Sequence, residues 1–237
     1  MMQIPSEQQL FEAVDASWPA HKTQELDGWI LREGRGGGQR VSAASGEGDI
    51  AQAEAAMEAL GQDKLFMIRG DQSALDQELA ARGYIIKDPV DLLVGDAREI
   101  AQGYDPKKQA IFTGLPLAIL TEIWAEGGIG AERINVMKRA TCPKSYVLGR
   151  LNARAAAAAF VGCHNGVAMA HAVEVLAPVR RNGMAESMMR AAAGWGAENG
   201  ATVFAVLATQ ANTGAQSLYR KMGMETATQY HYRIKTP

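Results

Sequence analysis

The chain has 237 residues, of which 47% are hydrophobic and 21% charged, the composition of an ordinary soluble globular protein. This length allows one large domain or two small ones. No stretch approaches the roughly 20 consecutive apolar residues of a membrane span, and the N-terminus lacks the basic and apolar regions of a signal peptide. Two cysteines, Cys142 and Cys163, give neither a disulfide framework nor metal-ligand spacing. We therefore expect a cytoplasmic protein without membrane association and without a bound metal.

The net charge of −2 conceals two halves of opposite sign. Residues 1–96 carry eight Lys or Arg against 17 Asp or Glu, a net −9, whereas residues 97–237 carry 16 against nine, a net +7. A basic half suits a polyanionic ligand, because its field steers and concentrates anions. Nucleic acid is one such ligand, but the six basic residues of the acid-free stretch 133–173 are not interleaved with aromatics, so we expect no nucleic acid. Opposite charges would also help the two halves to dock.

The first half is predicted to alternate strands with helices. Residues 71–84 are predicted to form a short helix that ends at Gly83. The glycine-rich stretch 34–38 is interpreted as a hairpin loop rather than a phosphate-binding loop, because no helix is predicted directly after it. The other predicted elements are strands at 27–32, 40–44 and 64–69 and a helix at 50–60.

The middle of the chain is predicted to contain helices followed by a hairpin. Residues 107–125 have the apolar spacing of one or two amphipathic helices, with Pro116 near the start of the second, and a flexible break follows at 127–130. The alanines at 155–159 have high helix propensity. However, an Asn-Gly pair at 165–166 between two apolar runs is a strong hairpin signal, so residues 155–163 and 167–176 are predicted to be paired strands.

A short basic turn follows this hairpin. Residues 180–185 read Arg-Arg-Asn-Gly-Met-Ala and lie between the apolar run at 170–176 and an amphipathic run that starts at Glu186. Free backbone N–H groups and the helix dipole at such a turn favour a phosphate or pyrophosphate. Arg180 and Arg181 would add charge-assisted contacts to the same anion. The turn alone is weak support, because any strand-to-helix connection can contain arginines.

The elements after the turn complete a recognisable order. A helix over 185–198, a strand over 202–208, Asn212 and the run Ala-Gln-Ser-Leu-Tyr-Arg-Lys-Met-Gly at 215–223 precede a last strand that ends at Arg233. The series Arg-x-x-Gly-x-Ala, Asn and Ala-x-x-Leu-Tyr-x-x-x-Gly resembles the GNAT superfamily of acyl-CoA-dependent N-acetyltransferases. The resemblance covers roughly residues 100–237 and is strongest over 170–233.

Two positions depart from the family pattern. Met224 stands where the family usually has Phe, and Ala185 stands where it often has Gly. Alanine is still small enough for a close contact between the helix and a pyrophosphate, so neither departure weakens the resemblance.

The first half is similar to the second but lacks its chemistry. A shift of 140 residues lays the strand at 64–69 on residues 204–209 and Gly83 on Gly223. A single repeat at this spacing indicates two related domains rather than a solenoid. The first copy has no Arg-x-x-Gly-x-Ala turn, and Leu79 stands where the second copy has Tyr219. It resembles the degenerate half of tandem GNAT proteins.

The resemblance therefore implies an α/β (α+β) fold of two GNAT-like mixed-sheet domains. Residues 1–96 would form the degenerate, non-catalytic domain and residues 97–237 the catalytic one. We expect the acidic first domain to pack against the second, to wall one side of the acceptor site and to attract a cationic amine through its carboxylates.

The same resemblance assigns roles to individual residues. Backbone groups around Val173 and Val175 would pair with the pantetheine arm of acetyl-CoA and polarise its thioester. Asn212 would contact the cofactor arm, and Tyr219 would contact the cofactor and protonate the leaving thiolate. A buried tyrosine four residues before a helix-ending glycine is also typical of a core aromatic, so both roles stay open. The pyrophosphate would be held by Arg180, Arg181, Asn182, Gly183, Met184 and Ala185.

The general base is not identified by this comparison. Many members of the family have a Glu eleven residues before the phosphate motif, where this chain has Met169. His171 lies on the same face of the strand as Met169, and Glu174 lies on the opposite face. Histidine has the better intrinsic pKa for a base near neutrality. Either residue could instead have a purely structural role, and an amine of low pKa would need no strong base.

Together these features predict an N-acetyltransferase that moves the acetyl group of acetyl-CoA to a primary amine of a small molecule or peptide by direct attack in a ternary complex. The alternative is an acyl-CoA-binding regulatory protein with little catalysis, which Met169 and the degenerate half would favour. A nucleic-acid-binding module is the third class. The identity of the acceptor and the oligomeric state, a homodimer included, stay open.

Overall fold

The computed structural model describes residues 3–103 and 110–235. In the first half the elements run in the order α1 (Glu7–Ser17), β1 (Lys22–Leu26), β2 (Trp29–Glu33), β3 (Ser45–Gly46), α2 (Ile50–Ala59), β4 (Lys64–Arg69), α3 (Ser73–Ala81) and β5 (Ile85–Asp96). In the second half they run in the order α4 (Ala97–Ala101), β6 (Ala110–Thr113), α5 (Ala118–Glu126), α6 (Ala131–Arg139), β7 (Lys144–Leu151), β8 (Arg154–His164), β9 (Val167–Val175), α7 (Met184–Glu198), β10 (Val203–Thr209), α8 (Thr213–Lys221) and β11 (Glu225–Lys235).

The strands form one small sheet and one large sheet. The small sheet is antiparallel and has the order β1-β2-β3. The large sheet has the order β4-β11-β5-β10-β9-β8-β7-β6, and its only parallel neighbours among the described strands are β9 and β10. An isolated parallel bridge between Ala44 and Phe66 links the small sheet to β4.

The two halves exchange their last strands within the large sheet. Strand β5 of the first half lies between β10 and β11 of the second, and β11 lies between β4 and β5. Hydrogen bonding therefore runs continuously across the expected domain boundary at residues 96 and 97. The division into domains 1–96 and 97–237 stays a prediction, but the two parts share one sheet and cannot be separated without breaking it.

The internal repeat predicted from the sequence is present in the strand register. Thr209 pairs with Val90, and a shift of 140 residues converts this pair into the observed pair of Arg69 and Tyr230. The same shift carries α3 onto α8 and β5 onto β11. Val90 also pairs with Tyr230, its own repeat partner, so the approximate twofold axis passes through this point of the sheet.

The hairpin of β8 and β9 forms as predicted, although its alanines favour a helix. Asn165 and Gly166 have φ angles of 46° and 79°, the positive values that a tight two-residue hairpin turn requires. The alanines at 156–159 are at most 1% exposed, and all of them except Ala158 lie in the core that also contains Met184 and Met188 of α7. Small side chains on β8 let the methionine-rich face of α7 lie close to the sheet, so tertiary packing overrides the local propensity.

Two predicted elements are wrong. Residues 40–44 are not a strand, because a 3-10 helix at Gln39–Val41 carries the chain towards the short strand β3. Residues 110–113, expected to be helical, form strand β6, which gains an antiparallel partner in β7 at the edge of the sheet. The start of that expected helix, residues 107–109, lies outside the described residues.

The glycine-rich stretch at 34–38 connects the antiparallel strands β2 and β3, but the 3-10 helix does follow it directly. Its glycines serve close packing. A Cβ atom at Gly37 would lie 2.5 Å from Cγ2 of Val136 on α6. The backbone of this stretch therefore rests on α6, which places Arg40 of the 3-10 helix beside the second half of the chain.

Strand exchange makes a specific prediction about fragments. Residues 97–237 expressed alone should be insoluble or should self-associate, because β10 and β11 would each lose their partner β5, whose Leu92, Leu93 and Val94 are completely buried. Co-expression with residues 1–96 should restore a soluble complex, as measured by size-exclusion chromatography with light scattering. Co-expression with residues 1–84, which lack β5, is the control and should not restore it. A fragment 97–237 that is monomeric and unfolds cooperatively would contradict this expectation.

Candidate functional site

The candidate site begins where β9 and β10 separate. The two strands pair in parallel only from Val203–Val167 to Val206–Ala170. Beyond this point β9 stays paired with β8 on its other side, while its edge towards β10 has no strand partner. Backbone N–H and C=O groups at this edge are available to an extended ligand, because such groups need hydrogen-bond partners when water is excluded.

A β-bulge lies at the same place. The register between β8 and β9 shifts between the pairs Ala158–Glu174 and Phe160–His171, and Ala172 has a φ angle of 49°. A bulge bends its strand and re-aims the side chains on either side. The bend carries the rest of β9 away from β10 and opens the gap between them.

A cavity of about 370 Å³ occupies this gap. The second half contributes backbone and side chains of β9 and β10 and the inner face of α8. The first half contributes Trp18, the end of the glycine-rich stretch and the 3-10 helix. Of the residues that the sequence singled out, this cavity brings together His171, Val173, Asn212 and Tyr219. Within the described residues, Glu174, Val175 and residues 180–185 do not line it.

The start of α7 presents backbone N–H groups that no described side chain caps. Gly183 is the N-cap residue in the left-handed conformation, with φ of 73°, and no side chain caps the helix. The first helical backbone bond runs from the N–H of Ser187 to the carbonyl of Gly183, at 3.0 Å. The preceding N–H groups therefore have no backbone acceptor among the described residues. A Cβ at Gly183 would meet nothing within 4 Å, so the approach to these donors is open.

The equivalent places in the first repeat are closed. Helix α2 is capped by Asp49, whose carboxylate accepts from the N–H of Ala51 at 2.8 Å and would repel a phosphate. Gln72 stands where the second repeat has Asn212. Its side chain donates to the carbonyl of Gly46 at 2.9 Å and accepts from the N–H of Arg69 at 2.9 Å, which ties β3 to β4. The gap between β9 and β10, called the fork below, is open in the second repeat. The corresponding gap between β3 and β4 is bridged in the first repeat.

Glu174 and Arg180 neutralise each other outside the cavity. The guanidinium of Arg180 lies 3.1 Å from a carboxylate oxygen of Glu174, and its Nε donates to the carbonyl of Val175 at 2.9 Å. This pairing fixes the end of β9 to the anion-binding turn. It also occupies the carboxylate that was a candidate base, and Glu174 lies away from the space where an acceptor would sit.

His171 is the centre of a buried hydrogen-bond chain. Nη1 of Arg40 lies 3.3 Å from its Nδ1, and Nε2 lies 2.8 Å from Oγ of Ser17, which in turn donates to the carbonyl of Ala13 at 2.6 Å. Arginine only donates, so Nδ1 accepts and Nε2 carries the proton. Burial first, and then the charge of Arg40, hold the pKa of His171 well below its usual value. His171 is therefore neutral, and its lone pair is already engaged.

Asn212 and Tyr219 lie on α8 at the far side of the gap. Asn212 is the N-cap residue of α8, and its Oδ1 accepts from the N–H of Ala215 at 3.1 Å, which leaves its side-chain NH₂ group to a ligand. Tyr219 is 7% exposed, and burial raises its pKa to about 12. Its hydroxyl has no hydrogen-bond partner within the described part of the chain.

The wall supplied by the first half contains charges of both signs. Asp88 is the only carboxylate that the described residues contribute to the cavity, whereas Arg40 of the first half lines it together with Arg133 of α6 in the second half. The expected attraction of a cationic amine by carboxylates of the first half stays a prediction, and at the cavity itself it would depend on Asp88. Arg40, Trp18 and the two tyrosines Tyr230 and Tyr232 were missed, since none belongs to a motif and only the tertiary fold brings them together.

The described residues contain neither a metal-binding cluster nor a membrane-spanning helix. No group of three or more His, Cys, Asp or Glu is arranged to hold a metal ion. Nor is any helix in these residues long and apolar enough to cross a membrane.

Comparison with known proteins agrees with this geometry. Residues 121–224, from α5 to the end of α8, match the model of the acetyltransferase (GNAT) family. This part of the chain is a GNAT acetyltransferase domain. It contains the bulge, the uncapped helix α7 and Tyr219, whereas the cavity-lining tyrosines of β11, Tyr230 and Tyr232, lie beyond the matched segment. The chain thus carries an acyltransferase domain.

Solved structures share the fold along almost the whole chain. A GCN5-related N-acetyltransferase from Kribbella flavida has a TM-score of 0.67 and 18% identity, and the match covers 97% of this chain and 93% of that one. A functionally unknown conserved protein from Staphylococcus epidermidis has a TM-score of 0.68 and 11% identity, with 94% and 96% covered. A tandem GNAT protein from the clavulanic acid biosynthesis pathway has a TM-score of 0.59 and 10% identity, with 79% and 69% covered. The predicted fold class is confirmed. No curated protein sequence matches the chain.

The environment of His171 predicts its protonation behaviour. Because its pKa is depressed in the folded state, His171 should keep the neutral form with a proton on Nε2 well below pH 6.5, as read from long-range ¹H–¹⁵N spectra. The unfolded chain takes up this proton below about pH 6.5, so the corresponding share of stability is present above that pH and is lost as the pH falls. A His171→Gln variant identifies the signal. A His171 ring that is doubly protonated at pH 6 would contradict the buried, arginine-contacted geometry.

Proposed function

We propose that the chain transfers the acetyl group of acetyl-CoA to a primary amine of a small molecule or peptide. The observation that supports this most directly is the contrast between the repeats: the fork and the helix N-terminus are open in the second half and closed by Gln72 and Asp49 in the first. An open strand fork next to an uncapped helix N-terminus suits a ligand that combines an extended amide-containing arm with a pyrophosphate.

The residues present fit acetyl-CoA in two places. The free edge of β9 around Val173 would pair with the pantetheine arm, and the side-chain NH₂ group of Asn212 faces the same gap. The uncapped N–H groups of α7 and the exposed Arg181 would hold the pyrophosphate. Arg180 would contribute charge while its Nε stays on the carbonyl of Val175. Acetyl-CoA supplies the acetyl group as an activated thioester.

Tyr219 is the group placed to assist departure of the thiolate. The amine nitrogen forms a bond to the acetyl carbon, the carbon–sulfur bond breaks, and the sulfur leaves with the bonding electrons. A phenol whose pKa is about 12 stays protonated throughout the physiological range and can donate a hydrogen bond as negative charge develops on sulfur. Because the pKa of Tyr219 is high, its hydrogen bond would stabilise the developing thiolate, and its proton would move to sulfur as the carbon–sulfur bond breaks.

Neither proposed base is well placed to take the amine proton. The lone pair of His171 accepts from Arg40, and Glu174 is paired with Arg180 outside the cavity. We therefore favour attack by the neutral fraction of the acceptor amine, with its proton released to water in the open mouth of the cavity. Rate should then rise with pH as more of the acceptor loses its proton.

The engaged state of both bases also supports the second candidate, an acyl-CoA-binding regulatory protein with little catalysis. The two candidates share the cofactor site and differ in turnover. Thiol release from acetyl-CoA in the presence of a panel of primary amines separates them, since the regulatory protein would bind acetyl-CoA and release no thiol above the uncatalysed rate.

Gly183 provides the test of the cofactor site. A Gly183→Glu substitution should weaken acetyl-CoA binding by about 10- to 100-fold in calorimetry, because a carboxylate would occupy the anion site and the lost contacts are charge-assisted hydrogen bonds. Gly200→Glu is the matched control. Gly200 follows the other end of α7, has a φ of 87° and has equally open space around its Cβ, so both variants carry the same backbone strain. Equal affinities of the two variants would contradict the proposed pyrophosphate site.

Tyr219 provides the test of catalysis. Tyr219→Phe keeps the ring packing and removes the donor, so kcat should fall about 100- to 10,000-fold while acetyl-CoA affinity changes little. Tyr146→Phe is the control, because Tyr146 is buried in a core cluster and does not line the cavity. Since burial raises the pKa of Tyr219, the wild type should show no decline in rate from its ionisation up to about pH 10. Full turnover by Tyr219→Phe would leave Tyr219 a core aromatic.

A further inference from the structure

Arg40 reaches the cavity from the first half of the chain. The glycine-rich stretch rests on α6, and the 3-10 helix after it directs Arg40 to the floor of the fork beside His171. Its guanidinium donates to Nδ1 of His171 at 3.3 Å, and its Cζ lies 5.8 Å from the centre of the Trp18 ring. These contacts hold the side chain in one place, and the nearby hydroxyls of Tyr230 and Tyr232 also interact with its guanidinium.

No anion in the described residues balances this charge. Arg40 forms no ion pair with any described carboxylate, and its Nε is buried without a hydrogen-bond partner. Asp88 is the one carboxylate that the described residues contribute to this cavity and it forms no ion pair with Arg40, whereas the second cation, Arg133, adds to the positive charge. A largely buried guanidinium without a counter-ion is costly unless a ligand supplies one.

The remaining polar groups around Arg40 are the hydroxyls of two tyrosines, which can accept from its guanidinium and also donate. Tyr230 and Tyr232 line the same cavity, are each 3% exposed, and lie with their hydroxyl oxygens 3.5 Å apart. Burial is the first cause that raises the pKa of Tyr232 well above its usual value, so this phenol stays protonated. A positive charge flanked by phenol hydroxyls suits a carboxylate, because a carboxylate can accept from the guanidinium and from a hydroxyl.

We propose that Arg40 binds a carboxylate of the acceptor, so that the acceptor is a small amine which also carries a carboxylate, as amino acids do. This assignment rests on the proposed acetyl transfer. Such a molecule would place its carboxylate at Arg40 and its amine towards the open fork, where Val173 borders the thioester position. The cavity volume of about 370 Å³ suits a small acceptor.

The phosphates of acetyl-CoA are a less suitable source of the anion. The anion-binding turn at the start of α7 does not line this cavity in the described residues, and Arg40 comes from the opposite wall. An extended ligand that places its pyrophosphate at α7 has its acyl end, not a phosphate, in the fork. Direct measurement of acetyl-CoA binding distinguishes a cofactor phosphate from an acceptor carboxylate as the anion at Arg40.

The test compares matched acceptors on wild-type protein and two variants. L-amino acids, their carboxamides and the corresponding decarboxylated amines are assayed for thiol release from acetyl-CoA, at a pH where each amine is equally deprotonated. The wild type should prefer the carboxylate form by at least about 30-fold in kcat/KM, the size expected for a buried charge pair. Arg40→Gln should reduce that ratio towards one, chiefly through KM, and Arg40→Lys should recover part of it.

Arg35→Gln is the matched control. Arg35 lies on the same loop, pairs with Glu33 at 2.7 Å and does not line the cavity, so its loss removes an equal charge and should leave the carboxylate preference intact. Circular dichroism and calorimetry with acetyl-CoA verify that each variant is folded and binds cofactor. A large loss of acetyl-CoA affinity in Arg40→Gln would assign the arginine to a cofactor phosphate and overturn the proposal.

Two further outcomes are distinct. If the wild type acetylates amines and shows no preference for carboxylate-bearing ones, or if Arg40→Gln keeps the preference, the assignment of Arg40 is wrong while acetyl transfer stands. If the wild type binds acetyl-CoA and releases no thiol with any amine, acetyl transfer itself fails. In that case calorimetry with L-amino acids still tests the carboxylate site. Binding that is weakened in Arg40→Gln and unchanged in Arg35→Gln would support the site, and the absence of binding would overturn it.

Discussion

The separation of β9 and β10 after the Ala170–Val206 pair is the constraint on which the site depends. A parallel pair that continued would consume the backbone groups that now face the gap. The first repeat starts the same separation at the Ala44–Phe66 bridge, but there the Gln72 side chain spans the gap. One amide side chain in place of Asn212 thus makes the difference between a closed structural fork and one that can admit a ligand.

Strand exchange makes the first half a structural part of the second. Because β5 is inserted between β10 and β11 and β4 pairs with β11, the first half is bound to the second by three strand ladders. This connection positions α1 and the 3-10 helix over the fork. The first half has no anion-binding turn, yet it supplies the wall of the cavity that would meet the acceptor.

The sequence predicted those features that depend on local patterns. The turn at 180–185, the Asn-Gly hairpin and the 140-residue repeat each follow from short-range chemistry or from self-similarity. The cavity wall could not be predicted, because Arg40 and Trp18 come from segments with no motif and meet His171 only through strand exchange and close packing at Gly37. The same tertiary packing turned the alanine run of β8 into a buried strand against its propensity.

The chain of hydrogen bonds from α1 to the cavity has a further physical consequence. Ser17 at the end of α1 fixes the tautomer of His171, and the free lone pair of that tautomer fixes Arg40. A protonated His171 would place its positive charge beside that of Arg40 in a buried space. The charge of Arg40 therefore contributes, after burial, to the depressed pKa of His171. His171 therefore acts most naturally as a neutral support that orients Arg40. The first half is in this way coupled to the acceptor side of the site through side chains as well as through the sheet.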